Sequence, residues 1–64
     1  MASNDTVYTP VIKKIREEKH DLSYHLASGR AKNFEEYQRI AGKIEGLVSA
    51  EELLLEYEKR FIED

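Results

Sequence analysis

Two long runs of apolar residues spaced by threes and fours, separated by "LASGRAKN" at residues 26–33, constrain this chain most. Val11, Ile12, Ile15, Leu22 and Leu26 follow a period near 3.6, which is that of one face of an α-helix. A second run starts after Asn33 and keeps helical spacing almost to the C-terminus. Gly29 suits the left-handed position just past a helix C-terminus, and Asn33 suits an N-cap with Glu36 as its capping-box partner. A connection this short joins antiparallel neighbours. The pattern predicts an all-α antiparallel helical hairpin in one domain. Residues 1–8 form an extended tail, residues 10–28 a short first helix and residues 34–63 a long second helix.

Thr9–Pro10 marks the first start, with threonine as N-cap and proline where no backbone donor is missed. Lys19 interrupts the first stripe, so its stem is expected along the seam and its ammonium in water or on a glutamate. In the second helix a stripe of Tyr37, Ile40, Ala41, Ile44, Leu47, Val48, Leu55 and Ile62 is expected to lie against the first. "SAEE" at residues 49–52 is itself a capping-box pattern, so a break near Gly46–Ser49 stands as the alternative to a continuous helix. Spacing without a phase jump favours continuity.

Gly42 and Gly46 lie one turn apart inside this helix, where each costs about 1 kcal/mol relative to alanine. They are off the stripe above. Gly42, Gly46, Ala50, Leu53 and Tyr57 make a second series of fours and threes, small at its head and large at its end. Glycines there would let another backbone approach closely, as in small-xxx-small helix pairs. The alternative is that the glycines are only tolerated, or mark a kink. If Leu26 pairs near Glu36, the first helix ends near Ala50–Leu53 and the rest overhangs. Leu53, Leu54, Leu55, Tyr57, Phe61 and Ile62 would then need cover, of which Val7 and Tyr8 supply part. Tyr24, on the outer face of the first helix with His20 and Asp21, is a further contact residue for a partner. The expected partner surface is thus Gly42, Gly46, Ala50, Leu53, Leu54, Tyr57, Phe61, Ile62 and Tyr24.

Composition agrees with an assembling helical protein. The chain has 64 residues and no cysteine, so neither size nor disulfides can supply much stability, and oligomerisation or docking is the remaining remedy. The net charge of −3 divides into +1 over residues 1–48 and −4 over residues 49–64. Neither part carries the basic face of a nucleic-acid binder. No apolar run approaches the roughly 20 residues that span a bilayer, and residues 1–8 lack the regions of a signal peptide. A cytosolic protein, or one in an assembly built in the cytosol, is the expectation.

Chemistry is scarce. Glu17 and His20 have the Glu-x-x-His step of carboxylate-bridged di-iron bundles, but Glu17 points nearly opposite the apolar stripe, as a solvated residue would. His20 and His25 are five residues apart, about 140° around a helix, and cannot chelate one ion. Ser23, Ser28 and Ser49 lack an acid–base partner arrangement, and the three glycines build no phosphate loop. Glu35, Glu36, Glu51 and Glu52 read as first-turn or solvated charges. No catalytic residue, cofactor or metal site is expected.

From Leu26 to Leu47 the chain resembles very short helical proteins encoded among the structural genes of tailed bacteriophages. Their pattern is small-Gly-x-x-Lys-[DN]-[FY]-x-x-Tyr-x-x-[ILV]-x-Gly-x-Ile-x-Gly-Leu. The matching residues are Gly29, Lys32, Asn33, Phe34, Tyr37, Ile40, Gly42, Ile44, Gly46 and Leu47. The resemblance implies a virion or virion-assembly component, at the head–tail (portal or neck) region, located in the virion or otherwise in the host cytoplasm. Its partners would be proteins, itself or a larger virion protein, in an oligomer or symmetric multi-copy assembly, with neither nucleic acid nor membrane. The contrasting reading is a small phage-encoded regulator or inhibitor that captures a host protein through the acidic C-terminal helix.

Overall fold

The computed structural model describes residues 5–63, and these form two helices, α1 (Thr9–Ala27) and α2 (Phe34–Glu63), with no strand among them. The helices lie antiparallel in a slender hairpin of 47 × 22 × 13 Å. α2 is one unbroken helix of 30 residues through Gly42, Gly46 and Ser49, so the capping-box pattern at Ser49 starts nothing. A helix of that length spans roughly 45 Å, which accounts for the long axis of the molecule.

The turn forms from local signals. Gly29 has φ 73°, and its N–H donates to the Leu26 carbonyl (3.1 Å) while the Arg30 N–H donates to that of His25 (3.3 Å). This pair of bonds is the Schellman arrangement, and glycine adopts it without the steric cost a Cβ would bring. Asn33 caps α2, its Oδ1 accepting from the Glu36 N–H at 2.8 Å. Glu36 reaches back to the Lys32 N–H (3.0 Å), one residue before the position a standard capping box would use.

The start of α1 differs from expectation. Thr9 is the first helical residue, Tyr8 occupies the cap position, and no side chain caps it. The Thr9 hydroxyl instead donates to Glu58 Oε2 at 2.9 Å and accepts from the Thr6 N–H at 2.9 Å. Thr6 donates to the same Glu58 oxygen at 2.7 Å. Threonine was expected to serve its own helix; a carboxylate on α2 is the stronger partner. The first four residues of the expected tail lie outside the described residues. Its remainder is a turn, closed by the Thr9 N–H on the Thr6 carbonyl (3.1 Å), and is not extended.

These bonds also fix a register other than the expected one. α1 begins beside Glu58, so about 28 Å of helix carries its end back to the level of Ile40 and not of Glu36. The C-terminal overhang therefore shrinks to the last turn, against which Tyr8 packs edge-on to Phe61 (6.4 Å between centroids). Val7 remains exposed and covers little. The uncovered end is instead the first turn of α2, where Phe34 and Tyr37 stack on each other with both rings in solvent.

Among the described residues the two buried apolar side chains, Ile12 and Ile40, are 4% and 8% exposed and lie towards opposite ends of the contact between the helices. Ile15, Lys19, Leu22 and Leu26 of α1, with Ala41, Ile44, Leu47, Val48 and Leu54 of α2, are half-buried. Tyr37, Leu55 and Ile62 of the expected stripe are exposed. At 100° per residue the seam follows residues 40, 44, 47, 51, 54 and 58, and a glutamate holds its middle.

Candidate functional site: an interaction surface on helix α2

Glu51 is 9% exposed, the buried polar residue among those described. Arg16 Nε donates to its Oε2 at 2.8 Å and Lys19 Nζ to its Oε1 at 2.7 Å. Both cations come from α1 and both keep contact with water, at 57% and 31% side-chain exposure. The hydrogen bond from Lys19, and then that from Arg16, holds the Glu51 carboxyl below its ordinary value of 4.5 against the opposing effect of burial. That cover is thin, because a hairpin 13 Å across its narrow axis has no deep interior. Glu51 was expected as a solvated charge and is instead the polar centre of the seam. The expectation for Lys19 is met: its ammonium rests on a glutamate.

The opposite side of α2 presents an apolar surface. Leu53 and Tyr57 on it are 59% and 52% exposed, whereas Phe61 (61%) lies at its margin beside Tyr8, and Ile62 (47%), in phase with Glu51 and Glu58, departs from the expected surface and stands at the exposed end of the seam. Gly42 and Gly46 are exposed, and a Cβ built at either meets nothing within 4 Å. Nothing in this chain approaches them, so their cost in helix propensity has no return inside the hairpin. Ala50 is half-buried at the edge of this face. Tyr24, 62% exposed, stands apart on α1. Leu54 departs from the expected surface, being half-buried in phase with the α1 seam. The structure thus gathers Gly42, Gly46, Leu53 and Tyr57 along one side of one helix, with Ala50 and Phe61 at its margin.

The charges around the face come in defined positions. Arg60 pairs with Glu56 at 3.1 Å, and its guanidinium lies over the Tyr57 ring, 5.4 Å from the centroid. Arg39 approaches Glu36 at 3.7 Å. Of the six carboxylates in residues 49–64, Glu51, Glu56 and Glu58 bind partners within the chain.

A groove of about 330 Å³ beside the turn is lined by His20, Asp21, Tyr24, His25 and Arg30 and opens to solvent. Among the described residues, no group of three or more His, Asp or Glu is arranged to hold a metal ion, and no helix is long and apolar enough to cross a membrane. Comparison with family models, with curated proteins and with solved structures finds no match to this chain.

Proposed function

We propose that this chain is a non-enzymatic assembly protein that works through helix–helix contacts made by the rear face of α2, as a component of a tailed-phage virion. The observation that carries this reading is the mismatch between core and surface. Among the described residues two apolar side chains are buried, none below 2% exposure, while Leu53 and Tyr57 stand more than half exposed on the rear face of α2. A hairpin with so little burial is marginal alone, and covering that face removes the deficit. The phage assignment rests on the residues from Gly29 to Leu47 that resemble short virion-associated helical proteins. The head–tail region is the place that likeness suggests.

Capture of a host protein by the acidic end of α2 is disfavoured, because Glu51, Glu56 and Glu58 are engaged within the hairpin. Quantifying the chain in purified particles of the phage that encodes it tests the reading. A fixed, symmetric copy number supports it. Presence in infected-cell extract with absence from particles contradicts the virion assignment.

A further inference from the structure

We infer that the occupant of the α2 rear face is a second copy of this chain, paired antiparallel about a two-fold axis near Val48. The inference deepens the proposed assembly role and rests on it. Along the face the side chains grow from Gly42 and Gly46 to Leu53 and Tyr57, and a tapered face is complementary to itself only when reversed. A parallel pair would stack Leu53 on Leu53 and Tyr57 on Tyr57 while leaving glycine on glycine. The antiparallel pair sets Leu53 of one copy into the space beside Gly42 of the other, and Ala50 beside Gly46. That space is empty, since a Cβ at either glycine meets nothing within 4 Å.

Charge then selects the register. With Leu53 opposite Gly42, Arg60 falls opposite Glu35 and Tyr57 falls opposite Arg39, since each pair adds to the same sum within one residue. At 100° per residue Glu35 and Arg60 lie on the same flank of the face, so the antiparallel arrangement brings them together. Two-fold symmetry makes each contact twice. Arg60 is already held on this side of α2 by its position over the Tyr57 ring. Sliding the pair by five residues, to set Phe61 opposite Arg39, carries Arg60 from Glu35 to the level of Ile40 and removes the match. α1 does not interfere, because its seam on α2 lies on the other side, around Ile40 and Glu51.

The test is mass in solution on the full chain and charge-swapped variants. Sedimentation equilibrium of the wild type at micromolar concentration should give twice the chain mass. Glu35→Arg and Arg60→Glu should each weaken pairing by roughly fivefold to tenfold at low salt, because two exposed ion pairs become two repulsions. The double variant should recover wild-type pairing. Circular dichroism on each sample shows whether the helices persist, since neither residue is in the α1 seam. A wild type that stays monomeric at ~100 µM, a concentration that would reveal most specific pairs, overturns the second copy as occupant. A fixed copy number in particles would then still support assembly on a different protein. A dimer that is not restored by the double swap overturns the antiparallel register.

Discussion

The Lys19 ammonium lies 2.7 Å from Glu51 Oε1, in the middle of the seam between the helices. Each helix breaks its apolar stripe there with a charge, and the two interruptions meet. Two opposed charges in a seam specify which residues face each other more than they add stability. Glu51→Gln should lower the thermal midpoint by removing the anion from two cations, Arg16 and Lys19. The double variant Glu51→Gln with Lys19→Gln should lose less than the two singles combined, measurable by a double-mutant cycle in urea. Glu51→Leu with Lys19→Leu should raise the midpoint while broadening the distribution of masses in native mass spectrometry, because the apolar seam no longer fixes one register.

The same carboxylate sets a pH dependence. Its folded value lies below the ordinary 4.5, so the folded state binds its proton less readily than the unfolded state does. The stability it contributes is complete above about pH 5, diminishes as pH falls below the unfolded value, and is gone once pH passes below the lowered folded value. Urea midpoints between pH 6 and pH 2.5 should fall for the wild type more steeply than for Glu51→Gln. Parallel curves would show that the carboxylate titrates as an exposed one.

Ile12 should be the costliest single truncation in α1. It is 4% exposed, whereas its neighbour Val11 is 46% exposed. Ile12→Ala is expected to cost about 2–3 kcal/mol, and Val11→Ala within about 0.5 kcal/mol, in urea unfolding at one fixed protein concentration.

The turn before α1 depends on Glu58, which accepts from both Thr6 and Thr9. Glu58→Ala should free residues 6–9 and fray the first turn of α1. Hydrogen exchange at the Ile12 amide, bonded to the Tyr8 carbonyl at 2.9 Å, should accelerate roughly fivefold to tenfold, the equivalent of about 1 kcal/mol.

The helices and the turn between them were legible because local rules decide them. Gly29 sits at positive φ where a left-handed residue was needed, and Asn33 caps where an acceptor was needed. Register was not legible. Six residues between the helices permit a shift of about a turn, and the selecting contacts, Thr9 with Glu58 and Lys19 with Glu51, are between helices. A purely apolar pattern places Tyr37 and Leu55 in the seam and cannot admit a glutamate, so it leaves Glu51 out. A signal was present: Glu51 is in phase with Ile40, Ile44 and Leu47, and Lys19 interrupts the opposing stripe. Two opposite charges breaking two stripes are a pairing instruction. On the rear face, spacing and residue size showed the surface, but only the structure shows that nothing within the described residues fills the space beside Gly42 and Gly46.

Gly46→Leu tests the central claim, that another helix backbone packs on the rear face of α2. In the isolated hairpin a Cβ at this position meets nothing within 4 Å, and leucine favours the helix over glycine by about 0.8 kcal/mol. In the assembly the same side chain would hold the two backbones apart, weakening association by roughly tenfold to a hundredfold. Helicity by circular dichroism and mass by sedimentation should be measured on the one variant. Helicity should be equal or higher in dilute solution while assembly is lost. Higher helicity with assembly unimpaired would contradict the claim, because no backbone could then lie close to Gly46.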